Sequence, residues 1–169
     1  MIEQHYLDDS LFQLRKLKTQ ADKAMAQVDD SQFFALIDAG ANSIALIVKH
    51  MIGNMRSRWT DFLTSDGEKP DRHRDSEFEI ESTDTREAML SRWEAAWELL
   101  FRTVGALQPD DLGKTITIRN EPHTVVQAIN RQVSHYSAHV GQIVLLAKHL
   151  AGPRWQTLSI PKRNRRSGN

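Results

Sequence analysis

Cysteine is absent from the 169-residue sequence. This absence excludes a disulfide framework, a thiolate metal site and a cysteine nucleophile, and it is compatible with a reducing compartment. Any thiol that takes part in the protein's chemistry must therefore come from outside the chain.

A surplus of charge of either sign is absent as well, because Lys plus Arg and Asp plus Glu both total 22. No general electrostatic field draws the chain to nucleic acid or to an anionic membrane surface. No window approaches the roughly 20 apolar residues of a membrane span, and the first residues, MIEQHYLDDS, lack both the basic and the apolar region of a secretory leader. We therefore expect a cytoplasmic protein with neither a membrane nor a nucleic acid as partner.

The length of the chain is that of one domain with a core large enough to fold without disulfides. Only the last stretch, PKRNRRSGN, departs from the charge balance, with four basic and no acidic side chains. We predict a single domain over residues 1–155 and a solvated basic tail over residues 156–169.

Four segments of the sequence have the apolar periodicity of a helix. Apolar residues recur in them at spacings of three, four and seven, which places these residues on one helix face. The segments span about residues 3–28, 43–63, 84–107 and 125–150. Residues 114–119 alternate like a strand and can form one arm of a small hairpin. The sequence therefore predicts an all-α protein, a four-helix bundle.

Capping signals mark the start of three segments. Ser43 or the asparagine before it can cap the second segment. Asp84 with Glu87 has the spacing of an N-terminal signature, and Thr124 with Gln127 that of a capping box. A charged loop, residues 64–82, separates the second and third segments; such a loop either covers a binding site or is simply solvated.

Three histidines stand at the border of the predicted core. Projection of the fourth segment at 100° per residue places His135 and His139 on one flank of the apolar stripe, and the same projection places His50 on the flank of the second segment. Two histidines four apart and one on a facing helix can supply three nitrogens to a divalent cation and leave positions open for water or substrate.

The spacing H-x-x-x-H is weak evidence by itself. The residues between the pair are Tyr-Ser-Ala, so the catalytic glutamate of the zincin helix is missing and a peptidase of that class is not expected. Two partly exposed histidines without a ligand are the alternative. The other four histidines fit solvated positions better than a ligand role: His5, His73, His123 and His149.

Three stretches carry a resemblance that covers almost the whole chain: SIALIVKHMIGNMRSRWTDFLTSDGEKP, QPDDL and NRQVSHYSAHVGQIVLLAKHL. Their order and spacing resemble the DinB/YfiT-like metalloenzyme superfamily, in particular one of its uncharacterised branches. The resemblance implies an up-down-down-up bundle and assigns the metal ligands to His50, His135 and His139.

The same resemblance implies a homodimer and one bound divalent ion, zinc or nickel or another metal. Several characterised relatives are transferases or isomerases that use a low-molecular-weight thiol, such as bacillithiol, mycothiol or glutathione. The sequence contains four tryptophans, of which Trp59 and Trp155 lie near segment ends and offer apolar area for a dimer interface.

Polar residues on the flanks of the ligand helices are candidates for supporting roles. Asn54, Gln142 and Tyr136 can orient the histidines or the substrate, or can be ordinary residues at the border of the core. Arg58 projects to the same side as Asn54 and can grip a substrate carboxylate, about 12 Å along the helix from His50. An ion pair with Asp61 or with a loop carboxylate is its competing role.

These observations support three functional hypotheses. In the first, the metal turns a small thiol co-substrate into a thiolate that attacks an electrophilic small molecule. The second is a non-catalytic metal-binding or interaction bundle. The third is a metal-dependent hydrolase, which dependence of the activity on a thiol would separate from the first.

Overall fold

A computed structural model describes residues 1–160 of the chain, so residues 161–169 of the predicted basic tail lie outside the described part. Within that part the protein is mostly helical, as predicted. The helices are α1 (Ile2–Met25), α2 (Asp30–Phe34), α3 (Ile44–Trp59), α4 (Arg86–Gly105) and α5 (Val125–Ala151). The strands are β1 (Thr115–Ile118) and β2 (Glu121–Thr124), and three short 3₁₀ helices span Arg74–Phe78, Pro109–Asp111 and Gly152–Arg154.

The four long helices enclose one hydrophobic core. Helix α1 packs against α4 and α5, and α3 packs against the same two helices. The predicted apolar stripes point inward, and the largest fully buried side chains are those of Trp59, Trp93, Trp97 and Tyr136. Each large apolar side chain buried in this way contributes roughly 1.5–3 kcal/mol. No helix in residues 1–160 is long and apolar enough to cross a membrane.

Two of the predicted helix starts are confirmed. The hydroxyl of Ser43 accepts a hydrogen bond from the Leu46 amide at 3.2 Å and caps α3. At the start of α5, Thr124 Oγ1 accepts from the Gln127 amide at 3.2 Å, and Gln127 Oε1 accepts from the Thr124 amide at 2.8 Å. This reciprocal pair is the predicted capping box.

The predicted start of α4 was wrong. Thr85 caps this helix by accepting from the Ala88 amide at 3.2 Å. Asp84 instead turns into the protein, where its buried carboxylate accepts from Lys49 Nζ at 2.7 Å and from an Arg92 guanidinium nitrogen at 2.6 Å. The sequence signature failed because these two distant cations compete for the carboxylate. The short helix α2, capped by Asp29, was not predicted.

The predicted hairpin is present and is fastened to the charged loop. Strands β1 and β2 pair antiparallel around a turn at Arg119 and Asn120. The carboxylate of Asp66 accepts from both turn amides, at 2.9 Å and 2.8 Å, and the Gly67 amide donates to Thr117 O at 2.8 Å. The first part of the loop is therefore held against the hairpin.

One tryptophan assigned to a dimer interface is in the core. Trp59 is 1% exposed, and its Nε1 donates to the Tyr136 hydroxyl at 3.0 Å. It therefore offers no surface to a second copy, which corrects the sequence interpretation. Trp155 is half-buried against the core.

Candidate metal centre

The three predicted histidines meet at the contact between α3 and α5. His50 lies on α3, and His135 and His139 lie one turn apart on α5. The Nε2 atom of His135 is 3.3 Å from Nε2 of His50 and 3.0 Å from Nε2 of His139. One ring nitrogen of each histidine thus falls within 4.8 Å of the others, so the three could hold one metal ion.

The ring of His50 is oriented by a carboxylate from the charged loop. Glu77, at 6% exposure, accepts from His50 Nδ1 at 2.8 Å. Since a carboxylate can only accept, Nδ1 carries the proton and the lone pair of Nε2 faces the other two histidines. Arg72 fixes Glu77 in turn, with Nε and a terminal nitrogen 2.8 Å and 2.9 Å from its two oxygens.

This chain of arginine, carboxylate and histidine is the usual outer support of a histidine metal ligand. Burial alone would raise the pKa of Glu77, but the hydrogen bonds from His50 and Arg72 hold its pKa below the usual range. The carboxylate is therefore charged and committed to these two partners.

Close approach of Glu77 to α3 depends on a glycine. A Cβ on Gly53 would lie 2.6 Å from Glu77 Cδ and would overlap its Oε1. Gly53 is three residues after His50, on the same side of the helix. The glycine therefore gives the carboxylate room to reach the histidine ring.

The two histidines of α5 are oriented differently. His139 Nδ1 donates a hydrogen bond to Gln142 Oε1 at 2.8 Å, which leaves the lone pair of Nε2 free to bind a metal ion. His135 Nδ1 is buried and has no partner among the described residues. The predicted neighbour Gln142 thus contacts a candidate ligand directly.

The protonation state of the histidines suits a metal. Burial, reinforced by the neighbouring His139 and His50, lowers the pKa of His135 to about 3. Burial also lowers the pKa of His139. Neutral imidazole is the form that binds metals, and nitrogen donors suit zinc and nickel. The donor set on these two helices therefore fits a borderline divalent ion.

A pocket of about 460 Å³ opens beside the histidines. Its lining residues come from α3, the loop, the hairpin turn and α5: His50, Asn54, Arg58, Arg72, Arg74, Arg119, Arg131, Gln132, Ser134 and His135. The pocket has room for a small molecule in contact with the candidate metal centre.

The predicted residues Asn54 and Arg58 both line this pocket. Asn54 is 5% exposed, and its Oδ1 accepts from the Tyr136 hydroxyl at 3.0 Å. Arg58, 4% exposed, donates to Gly67 O and to Glu68 Oε2, 3.1 Å from both terminal nitrogens. The loop-carboxylate pairing considered for Arg58 is therefore the one observed, and the pairing with Asp61 is not.

Sequence reasoning missed Glu77, and it considered Arg72 only as part of a loop that either covers the site or is simply solvated. Neither residue belongs to a periodic segment. Gly53, in the middle of α3 on the side of His50, was the available signal, because a glycine inside a helical pattern usually has a packing or functional reason. As expected, His5, His73 and His149 are exposed, and His123 is half-buried away from the constellation.

Fold and site together define a mostly helical protein with a three-histidine constellation between two helices. A family model described as "Protein of unknown function (DUF1572)" matches residues 1–164, and the chain belongs to this family. A search among curated proteins gave no match to the sequence.

Proposed function

We propose that the protein is a divalent-metal-dependent enzyme that transfers a low-molecular-weight thiol to an electrophilic small molecule. His50, His135 and His139 would hold the ion, zinc or nickel. The observation that carries the proposal is the convergence of three Nε2 atoms beside a pocket that His50 and His135 line. A divalent ion on three neutral ligands keeps its double charge and lowers the pKa of a thiol that it coordinates.

Hydrolysis by a metal-bound hydroxide is the alternative function, because a divalent ion lowers the pKa of a bound water as it lowers that of a bound thiol. Neither nucleophile then needs a side-chain base to lose its proton. No acidic residue is among the described residues that line the pocket, and Glu77 is occupied by His50 and Arg72. Dependence of the activity on a thiol separates the two functions.

The reaction itself requires little of the protein. The thiol loses its proton to solvent, and its sulfur forms a bond to the electrophilic carbon while the leaving group departs with its electron pair. Since the sequence contains no cysteine, no side chain competes as a thiol nucleophile. The chain's task is to hold the two reactants in contact.

Three polar residues would support this arrangement. Gln142 holds the His139 ring, so that Nε2 faces the ion. Asn54, tied to Tyr136, presents its remaining amide group at the pocket wall. Arg58 keeps the loop in place through Glu68 and lines the pocket, where it would contact the substrate.

The proposal includes the wider architecture that the resemblance implies. The packing of α1 and α3 against both α4 and α5 supports a four-helix bundle, and the resemblance supplies its up-down-down-up topology. We propose that residues 1–155 form one DinB-like domain of a cytoplasmic homodimer.

Thiol conjugation tests the proposal. Zinc-loaded protein incubated with glutathione or bacillithiol and a haloarene or epoxide should form the thioether, and His50→Ala, His135→Ala and His139→Ala should lose this activity. His149→Ala, on the exposed side of α5, is the control and should keep it. In a cobalt-substituted protein, a thiol that binds the metal should change the absorption spectrum. If no thiol changes the spectrum, the thiol mechanism is wrong, but the metal site is not affected by that result.

A further inference from the structure

We propose that the pocket beside the histidines binds the oxyanion of a small organic acid, a carboxylate or a phosphate, through its arginines. The inference rests on the proposed function for the adjoining ion, but residues other than the metal ligands carry it. According to this inference, one of the two substrates, the electrophile or the thiol that attacks it, is an organic anion.

The charge lining the pocket has one sign. Of the residues in the range 1–160, no aspartate or glutamate lines the pocket, whereas five arginines do: Arg58, Arg72, Arg74, Arg119 and Arg131. They come from α3, the loop, the hairpin turn and α5, so four separate parts of the fold deliver positive charge to one cavity. Several converging guanidinium groups match the planar, bidentate geometry of carboxylates and phosphates.

The nearby carboxylates do not neutralise this charge. Glu68 alone is shared by three guanidinium groups, 3.1 Å from Arg58, 3.2 Å from Arg72 and 3.0 Å from Arg119. Glu77 pairs with Arg72, which already contacts Glu68. With Asp75, the partner of Arg74, three carboxylates pair with arginines of this set of five, so a positive surplus remains before any metal ion is counted.

Two of the arginines are available for a ligand. Arg131 is exposed and makes no side-chain hydrogen bond or ion pair with any residue in the range 1–160. The Arg74 guanidinium lies over the Phe78 ring, 5.2 Å from its centroid. Among residues 1–160, Arg74 has only Asp75 as an ionic partner, at 3.9 Å, and that aspartate is fully exposed. Such a distant solvated pair is worth little, so both guanidinium groups can turn to an anion.

Several buried polar groups without hydrogen-bond partners belong to residues that line the same cavity. Four buried side-chain polar atoms in residues 1–160 lack a hydrogen bond, and three of them belong to pocket residues: Arg58 Nε, Gln132 Nε2 and His135 Nδ1. The Gln132 side chain, 3% exposed, makes no hydrogen bond to any described residue. Leaving such groups unpaired is costly, and an oxyanion in the cavity would supply acceptors once these side chains turn towards it.

The hairpin turn holds Arg119 at the pocket in a strained conformation. Arg119 and its neighbour Asn120 have φ angles of 57° and 62°, in the left-handed region that glycine normally occupies. The turn persists because Asp66 accepts hydrogen bonds from both amides. Strain of this kind tends to be kept where it positions a functional group.

Calorimetric titration of the full chain with succinate tests the inference. The protein is first freed of metal by a chelator, so that an anion held by the ion itself gives no signal. Succinate should bind, and Arg131→Gln and Arg119→Gln should each raise its dissociation constant at least about tenfold, the loss expected for a charge-assisted hydrogen bond. Added salt should weaken binding in the wild type.

Lys148→Gln is the matched control. Lys148 is an exposed cation on α5, about 25 Å along the helix from Arg131, and its loss should leave the dissociation constant unchanged. A parallel titration with S-methylglutathione identifies the source of the anion. Tighter binding of this compound than of succinate assigns the pocket to the thiol's own carboxylates, and the reverse assigns it to the electrophile.

The inference is overturned if metal-free protein binds neither probe, or if binding ignores both arginine substitutions. In that case, histidine-dependent metal binding and thiol conjugation would still support the proposed function. Conversely, arginine-dependent binding to metal-free protein would stand even if no thiol activity were found.

Discussion

Gly53 and Glu77 fit together so closely that the backbone of α3 leaves room for the carboxylate and for nothing more. A Cβ at Gly53 would lie 2.6 Å from Glu77 Cδ. Because Glu77 also holds the His50 ring at 2.8 Å, the absence of one side chain on α3 governs the orientation of a candidate ligand.

Gly53→Ala should therefore weaken metal binding and destabilise the protein. An alanine in a helix usually stabilises it by about 0.5–1 kcal/mol relative to glycine, but here the added methyl group must expel Glu77. Zinc titration should show an affinity lowered about 10–100-fold. Gly141→Ala on α5, where a Cβ meets nothing within 4 Å, should be stabilising and leave zinc affinity unchanged.

Glu77→Gln separates the charge of this residue from its size. The amide can still contact His50, but it cannot satisfy both the imidazole and the Arg72 guanidinium as a carboxylate does. We expect zinc affinity to fall by about tenfold or more, with the helical circular dichroism spectrum retained. Unchanged affinity would show that Glu77 serves only the packing of the loop.

The stability of the protein should depend on Asp84 at acidic pH. Burial alone would raise the pKa of Asp84, but hydrogen bonds from Lys49 and Arg92 lower this pKa to about 2. A carboxylate with a lowered folded-state pKa stabilises the fold above its unfolded value, near 4, and this contribution is lost as pH falls towards 2.

Urea denaturation of the wild type and of Asp84→Asn measures this contribution. At pH 7 the substitution should lower the free energy of unfolding by about 2 kcal/mol, and the difference should narrow between pH 4 and pH 2. A difference that stays constant over this interval would assign the effect to packing instead of charge.

Tyr136→Phe should destabilise the core without removing a candidate ligand. The Tyr136 hydroxyl accepts from Trp59 Nε1 and donates to Asn54 Oδ1, both at 3.0 Å. Its removal leaves two buried groups unpaired, which costs roughly 2–4 kcal/mol in total. Thermal unfolding should show a lower midpoint, whereas zinc stoichiometry should stay the same.

The histidine constellation could be found from the sequence because it depends on local helix geometry. His135 and His139 are four residues apart on a strongly periodic segment, and His50 stands on the flank of another. The resemblance added that the two helices face each other. Side chains on regular helices are the part of a site that periodicity can place.

The support of the site could not be predicted in the same way. Glu77 reaches His50 from an irregular loop, and no spacing rule connects the two residues. The sequence predicts Asp84 as a helix cap, but Lys49, 35 residues earlier, binds its carboxylate. Trp59 looked accessible because it ends its segment, but α5 covers it. In each case a contact between residues far apart in the sequence determines where the side chain lies.

Metal occupancy of the three histidine variants tests the central claim most directly. Protein made without a histidine tag and titrated with zinc should bind one ion per chain, and His50→Ala, His135→Ala and His139→Ala should each lose most of this occupancy, because two protein ligands remain. His149→Ala should bind as the wild type does. Full occupancy in all three variants, or a wild type that binds no zinc at micromolar concentration, would contradict the account.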